Sequence, residues 1–575
     1  MEKELINFID EYELSPFSKT KTLIRTSNNS IFKTKDARDI YSKVLNKISN
    51  NFVFSETSNL LNFFSFVDNF DEIKRRQEFF KTIPQNLNNE SLKDLKTPRN
   101  IWKPNYDIIV VTENDKTLLK LKEMNCPVKF LLNENDVRDL EARDIVQILD
   151  CEEFNSALEI LPQSVILNST DEAYLERYVE VLSGWKYNLE ILKENPELNT
   201  EIKNLLNELI PLLKLCDNFS SKELSRDIVE QELGAINKEI SFKLKEMTLS
   251  GESLMSVLKD GSLPQELKDV VNSSIKKSSF PHLYINKIPV EINEESLENA
   301  LRQQSLTAFI SQAENIKKYS SELISLPEKI KKLSSLLILF DFESGISKFL
   351  SDKDSFPDNS EDFSIERSNN FFLSAPQPVS FSLNNQYRCS ILTGANSGGK
   401  TTLLEHIIQS ISFFHLGLPT SGKIKIPLFT EIYYFAKNKG SMSKGAFETL
   451  LTQMSQVKPG NKTLILADEI EAVTEPGVAG KIISATAEYF INKNCFLVIA
   501  THLGYEIQKN LPIYARIDGI EAKGLDEQNE LIVDHNPVLG KIANSTPELI
   551  VEKMARSESS EYFYHIHNYL KKSKL

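Results

Sequence analysis

Gly394-Ala-Asn-Ser-Gly-Gly-Lys-Thr401 follows an apolar run, Ser390–Leu392, and leads into an amphipathic stretch, Thr402–Phe414. The segment fits G-x-x-x-x-G-K-[ST] at every defined position. Its residue types carry a mechanism. Glycines let the backbone curl, so that the N–H groups along Gly394, Ala395, Asn396, Ser397, Gly398 and Gly399 can point at the phosphates of a nucleotide. Lys400 adds positive charge there, and the Thr401 hydroxyl suits a magnesium ion. A helix starting near Lys400 and running through Thr402 turns its N-terminus toward the phosphates, where its partial positive charge favours an anion.

Two stretches downstream extend this reading. Leu464-Ile-Leu-Ala-Asp-Glu469 is an apolar strand that ends in two acids. In open α/β sheets ligands lie at that end of the strands. Asp468 is placed to hold magnesium through water, and Glu469 to orient or deprotonate an attacking water. Cys495-Phe-Leu-Val-Ile-Ala-Thr-His502 delivers Thr501 and His502 to the same edge, where a histidine can sense the terminal phosphate. Arg388–Thr393, Thr463–Ala467 and Cys495–Thr501 thus read as buried strands separated by helical stretches. That alternation predicts a doubly wound α/β P-loop domain over residues 351–575.

Upstream the texture differs. Residues 1–100 read as helical, with apolar residues at three- and four-residue spacing in Ala37–Ile48 and Leu60–Ile83. Residues 101–170 read as a small α/β insertion: strand Asp107–Thr112, helix Asp115–Met124 and strand Val128–Leu132. It lacks a glycine-rich turn, so no nucleotide is assigned to it. Residues 171–350 are helical again. Ser220–Met247 carries Leu224, Ile228, Leu233, Ile236, Ile240 and Leu244 along one seam, and Leu297–Ser351 is a second long reach interrupted at Pro327. Between them Gly251–Pro289 is richer in Gly, Ser and Pro and carries Lys276, Lys277 and Lys287. Two long helices with such a tip make an arm, and lysines at its tip suit phosphate contacts.

The chain has 575 residues, which suggests two to four domains. It is 41% apolar and 26% charged, in the range of ordinary globular proteins. The longest apolar runs, such as Leu336–Phe340, fall well short of the roughly 18–20 residues that span a bilayer. The acidic N-terminus, MEKELINFIDEYEL, lacks the order of a signal peptide, so a cytoplasmic location without membrane contact is expected. The five cysteines show no metal-site or redox spacing. A net charge of −14 argues against a surface coated in nucleic acid but leaves room for a local basic patch.

TGANSGGKTTLLE (Thr393–Glu405), ILADEIEAVTEPGVAG (Ile465–Gly480) and ATHLGYEI (Ala500–Ile507) resemble the ATPase domain of the MutS family. These are dimeric ABC-type ATPases that act on DNA structures and mismatches, and Asn396 within the loop is characteristic of them. Phe414–Tyr433 is similar to the family's stretch after the loop helix. Gly440–Met454 (GSMSKGAFETLLTQM) stands in the place of the signature loop that reaches into the partner's nucleotide site. Here Gly445-Ala-Phe447 replaces the family's usual Ser-Thr-Phe, so the hydroxyl for that contact would come from Ser441 or Ser443, beside Gly445. The turn after Glu469 also departs from the usual glycine-, arginine- and serine-bearing form. Val538–Leu549 and the final helix are similar to the dimer-contact region, and Leu336–Phe349 to the end of the lever helix.

The resemblance implies an ATPase that uses ATP and Mg2+, with Lys400, Glu469 and His502 catalytic and Thr401 and Asp468 on the metal. It implies a homodimer whose lever and clamp close around double-stranded, mismatched or branched DNA in mismatch repair or recombination, with Lys276, Lys277 and Lys287 as candidate contacts. No N-terminal α/β domain bearing the Phe-x-Glu wedge of mismatch readers and no C-terminal nuclease domain are found, so the resemblance is to the short, archaeal-type branch. The alternative is a nucleotide-switched scaffold that binds protein partners and touches DNA little; the acidic net charge favours it.

Overall fold

The computed structural model describes residues 1–18, 30–99, 103–104, 106–216, 224–246, 264–353, 355–394, 398–436, 444–469, 475–525, 531–543, 547–557 and 560–572. Contacts divide the chain into two compact units. One comprises Leu95–Glu194 and Thr200–Leu333; the other comprises Met1–Asp94, Asn195–Asn199 and Ser334–Leu575. The sequence boundaries at 100, 170 and 350 mark changes of texture, whereas the second unit joins the first hundred residues to the C-terminal region.

The first unit holds a four-stranded parallel sheet. Its strands are β1 (Ile108–Thr112), β2 (Val128–Phe130), β3 (Ile145–Ile148) and β4 (Ser164–Ile166), in the order β2-β1-β3-β4. Two of them, β3 and β4, go beyond the strand–helix–strand expected from sequence. Ile108, Val110 and Ile145 pack on one face with Leu121 and Val165, while Val111, Val146 and Ile148 pack on the other with Leu131, Leu140 and Leu158. Apolar residues on both faces are what a parallel sheet covered on both sides requires. Ligands of such sheets lie where the strand order reverses, outside the ends of β1 and β3. Here the Glu113 carboxylate occupies that place, accepting the N–H groups of Glu152, Glu153 and Phe154 at 2.9, 2.8 and 2.8 Å.

Glu176 is buried beneath the same sheet. Gln147 Nε2 donates to both its oxygens at 2.9 and 3.1 Å, and Gln147 Oε1 accepts the Tyr174 N–H at 2.8 Å. Burial pushes the Glu176 carboxyl up to about 7, against the pull of its own backbone N–H and Gln147.

The arm follows. Helices Arg226–Glu246, Gln265–Ile275 and Glu294–Lys318, with the hairpin β5 (Tyr284–Ile285) and β6 (Glu291–Ile292), share a core of Val229, Ile236, Ile240, Val271, Leu283 and Leu297. The interruption expected at Pro327 falls at Ser325, two residues before it. Pro327 sits in the first turn of helix Leu326–Leu350, where no intrahelical N–H is needed, and a further break falls at Tyr319.

The second unit carries two sheets. The small one is built from β7 (Asp358–Asn359), β8 (Phe363–Ser368), β9 (Val379–Leu383) and β11 (Lys423–Ile426), in the order β7-β11-β8-β9. The large one adds β10 (Cys389–Gly394), β12 (Glu431–Phe435), β13 (Thr463–Asp468), β14 (Phe496–Ala500), β15 (Ala515–Leu525) and β16 (Leu531–Val538). Its order is β12-β13-β14-β10-β15-β16, parallel except for the last pair. Ile391, Ile465, Ala467, Leu497 and Ile499 pack on Ile483, Ala487 and Phe490 of helix Pro476–Ile491. Helix Lys400–Leu416 is buried at every residue from His406 to Leu416, its polar side chains included; the Ser410 and Ser412 hydroxyls donate back to the His406 and Ile408 carbonyls.

The N-terminal helices Glu2–Glu11, Lys35–Ser49 and Phe70–Thr82 belong to this unit. The helix expected over Leu60–Ile83 is in fact a 3₁₀ segment, Ser55–Asn62, and a separate helix. Asn69 starts the new helix by accepting the Asp71 N–H at 2.9 Å. Asp341, buried in helix Leu326–Leu350, binds this segment through the Val53 and Phe54 N–H groups, the Thr57 hydroxyl and the Asn89 amide, at 2.7 to 3.1 Å. At the outer edge of the large sheet Phe32 bridges Ile432. Lys33 N–H donates to the Ile432 carbonyl at 2.8 Å, and Ile432 N–H to the Ile31 carbonyl at 2.9 Å.

Candidate functional site

Strand β10 ends at Gly394, and helix Lys400–Leu416 starts six residues later. Gly394 has φ +143°, and a Cβ there would meet the Ile520 carbonyl at 2.7 Å. Gly399 has φ +94°, and a Cβ there would meet His535 Nδ1 at 2.8 Å. Both positions therefore need glycine. Ala395, Asn396 and Ser397 lie outside the described residues. Lys400 is 3% exposed. Its Nζ donates to the Gly394 carbonyl at 2.7 Å, across the mouth of the loop, and lies 3.4 Å from His502 Nε2.

Adjacent strands converge on this point. In β13 and β14 Asp468 is in register with Ala500. The Thr401 hydroxyl donates to Asp468 Oδ2 at 2.6 Å. Glu469 adopts φ +48°, uncommon for a residue with a side chain, and its N–H donates to the Ala500 carbonyl at 2.9 Å. The left-handed turn at the strand end brings Glu469 Oε1 to 3.1 Å from His502 Nε2. Thr501 is fully buried: its N–H donates to the Leu392 carbonyl at 3.0 Å, and its hydroxyl accepts the Leu503 N–H at 3.0 Å. Thr402 lies in the first turn of the helix, where its carbonyl accepts Asn370 Nδ2 at 3.1 Å.

The donor set fits a hard cation and a phosphate. A hydroxyl and a carboxylate side by side are oxygen ligands of the kind Mg2+ takes while keeping water and phosphate oxygens. A buried ammonium, a helix N-terminus and backbone with no room for Cβ atoms suit a phosphate chain. Among the described residues no group of three or more His, Cys, Asp or Glu side chains could hold a metal by itself.

Beside the start of the helix is a cavity of about 350 Å³, whose walls include Asn370, Leu373, Thr402, Leu403, His406 and His535. His535, on β16, places its Nδ1 3.0 Å from the Gly398 carbonyl. None of Asn370, His406 and His535 is visible from motif reading. Asn370 and His535 come from separate elements with no fixed spacing from the loop, and His406, six residues beyond Lys400 on the loop helix, is not part of the motif.

Ser441 and Ser443 lie outside the described residues, as does the turn at 470–474; Gly445 falls at the start of helix Lys444–Ser455. Of the arm lysines, Lys276 is exposed, Lys277 pairs with Glu239 at 2.8 Å, and Lys287 pairs with Glu291. Two of these three charges are thus already matched within the arm. Among the described residues no helix is long and apolar enough to cross a membrane.

No family model matches the chain. Individual proteins do. It is 30% identical to the DNA-binding protein MutS2 of Pyrococcus furiosus, over 93% of this chain and 99% of that protein. It is 25% identical to the endonuclease MutS2 of Borreliella burgdorferi, over 66% of this chain but 48% of the relative. To that of Enterococcus faecalis it is 22% identical, over 60% of this chain and 46% of the relative. The chain thus matches the archaeal relative almost end to end and spans about half the length of the two bacterial ones.

Proposed function

The chain belongs to the MutS family, among its MutS2 members, and from that premise we propose that it is a DNA-binding ATPase that works as a homodimer. The observation that carries the ATPase reading is the convergence of Lys400, the Thr401–Asp468 pair and the Glu469–His502 pair on the ends of three neighbouring strands. Lys400 neutralises the outer phosphates, exchanging the Gly394 carbonyl for phosphate oxygen. Thr401 and Asp468 would hold Mg2+, which would draw charge from the phosphates. Glu469 accepts the proton of the attacking water, and His502 orients that carboxylate and reports on the terminal phosphate. The nucleoside lies in the cavity beside Thr402 and Leu403.

The second half of each site comes from the partner copy. The region of Gly440–Met454 supplies the contact in trans, through Ser441, Ser443 and Gly445. The C-terminal helices Pro547–Ser557 and Glu561–Lys572 support pairing, since Tyr562, Tyr564 and Tyr569 of the last helix are 67%, 52% and 69% exposed. ATP favours the closed dimer, and hydrolysis resets the arms about duplex, mismatched or branched DNA. The printed name of the archaeal relative supports DNA as the ligand. Lys276 remains the arm lysine open to a phosphate, while Lys277 and Lys287 would have to leave their carboxylates.

Lys400→Ala tests the nucleotide site directly: ATP affinity should fall by about 10- to 100-fold, as for loss of a charge-assisted hydrogen bond. Unchanged affinity sinks the assignment. The pairing of Lys277 and Lys287, with the net charge of −14, favours the scaffold reading as the second choice. A salt titration of junction-DNA binding separates the two. A steep fall of affinity with salt supports the clamp, and no binding at low salt supports the scaffold.

A further inference from the structure

Helix Lys35–Ser49, near the start of the chain, lies against both helix Lys400–Leu416 and strand β12. Its buried residues, Ala37, Ile40, Tyr41, Val44 and Ile48, recur at helical spacing and account for that packing. They do not account for the polar residues at its two ends. Asp36 and Lys47 are eleven positions apart, roughly 16 Å along a helix. Each directs its charge at a backbone group in a different part of the nucleotide domain.

At the N-terminal end the Thr34 hydroxyl accepts the Tyr434 N–H at 3.0 Å, and the Asp36 carboxylate accepts the Ala436 N–H at 3.1 Å. Thr34 caps the helix, a position where threonine ordinarily takes a helix N–H, yet its side chain makes no such bond. Its oxygen goes to β12 instead. Phe435, between the two held residues, is in register with Ala467, the residue before Asp468. From Ala436 the chain runs on toward the Gly440–Met454 region.

At the other end Lys47, half-buried, donates from Nζ to the Phe371 carbonyl, and that nitrogen lies 4.6 Å from the centre of the Phe371 ring. Lys353, 5.6 Å from the same ring, is paired with Asp352. The Phe371 N–H donates to Gln409 Oε1 at 2.9 Å, and its ring packs on Phe349 and Phe413, each 5.4 Å away. On either side of it in sequence, Asn370 and Leu373 are walls of the cavity beside Thr402. A carbonyl held by a charged donor fixes its peptide plane, and with it the direction in which Phe372 and Leu373 leave.

We propose that Thr34, Asp36 and Lys47 are positioning residues of the nucleotide site and that helix Lys35–Ser49 is a bracket between its two parts, which rests on the reading of that site given above. Lys47 sets the cavity wall, and so acts on how tightly nucleotide is held. Thr34 and Asp36 set the strand end that lies beside Asp468 and leads to the Gly440–Met454 region, and so act on how fast bound nucleotide is split. The bracket comes from the first fifty residues of the chain, far in sequence from every phosphate motif.

The test measures equilibrium binding of ATP with Mg2+ and the saturated rate of phosphate release, both on the full chain. Lys47→Met removes the donor and keeps most of the side chain. Its ATP affinity should fall by about 10-fold while the saturated rate stays within about twofold. Lys47→Arg, which can still donate, should stay within about threefold of wild type in affinity. Asp36→Ala should do the reverse, lowering the saturated rate by about 10-fold with affinity within about twofold. Asp36→Asn, whose Oδ1 can accept, should keep most of the rate. Thr34→Val keeps the shape and removes no helix cap, so it decides if Asp36→Ala does not fold; the shorter Lys47→Gln does the same for Lys47→Met. A shift confined to the denaturation midpoint, or the same parameter moving at both ends, would show a helix that only packs and overturns the inference. Variants that bind and split ATP as the wild type does leave the nucleotide site standing and remove the bracket alone. A wild type that binds no ATP removes both.

Discussion

Glu469 Oε1 lies 3.1 Å from His502 Nε2, and that same nitrogen is 3.4 Å from Lys400 Nζ, so one imidazole sits between the carboxylate and the ammonium. The left-handed backbone at Glu469 is what turns the carboxylate toward the ring. Glu469→Gln keeps the shape and removes the base. Hydrolysis should fall by about 10²- to 10⁴-fold while ATP affinity is retained, measured by phosphate release beside equilibrium binding. Hydrolysis at the parent rate would remove Glu469 from its role.

The Thr401–Asp468 hydrogen bond of 2.6 Å marks the proposed metal site. Thr401→Val is nearly isosteric and deletes the hydroxyl oxygen. The Mg2+ concentration for half-maximal hydrolysis should rise by roughly tenfold, the effect of losing one oxygen ligand. Asp468→Asn should shift it in the same direction. An unchanged Mg2+ titration in both variants rejects the pair as metal ligands.

The buried Glu176 makes stability depend on pH in an unusual direction. Its folded pKa of about 7 is above the ordinary 4.5, so the folded protein holds the proton more tightly than the unfolded chain. Its contribution is fully present below about pH 4.5 and is lost as pH rises through about 7. The span corresponds to on the order of 3 kcal/mol. Glu176→Gln keeps a neutral group beside Gln147 and should raise the denaturation midpoint at pH 8.5 more than at pH 5. Equal shifts at both pH values would show that Glu176 does not titrate in this range.

Asp341 tests the join between the N-terminal segment and the helix before the small sheet. Burial pushes its carboxyl above the usual range although four donor groups pull it down. Asp341→Ala strands those donors and should destabilise the unit containing Ser334–Leu575 by on the order of 3 kcal/mol. The change is read from chemical denaturation, and a loss of less than about 1 kcal/mol would show that the donors find water instead.

What could be read from sequence is what chemistry confines to short, contiguous spacing. Gly394–Thr401, Asp468–Glu469 and Thr501–His502 each sit at a strand end, where open α/β sheets bind their ligands, and each strand is a run of apolar residues that announces itself. Partners drawn from distant segments leave no such trace. His535 reaches Gly398 from an antiparallel edge strand, and Asp341 collects donors from Val53 to Asn89 across more than 250 residues. The small sheet was missed although Val379–Leu383 and Lys423–Ile426 alternate buried and outward residues, because runs of four or five residues are too short for a two-residue period to stand out. Pro327 located a break to within two residues because proline cannot continue a helix but suits the first turn of the next, whereas the break at Tyr319 left no such sign.

The pairing of Phe32 with Ile432 has a practical side. An exposed strand edge is a template for another chain, and natural proteins cover or blunt such edges. Here the cover is supplied by residues four hundred positions upstream, through Ile31, Lys33, and the Thr34 and Asp36 side chains that take the Tyr434 and Ala436 N–H groups. A fragment that begins at residue 351, where composition alone would place the cut, would leave β12 with a bare flank. Its tendency would be to stick to itself, and an assay of nucleotide chemistry on that fragment would report on aggregates rather than on the folded site.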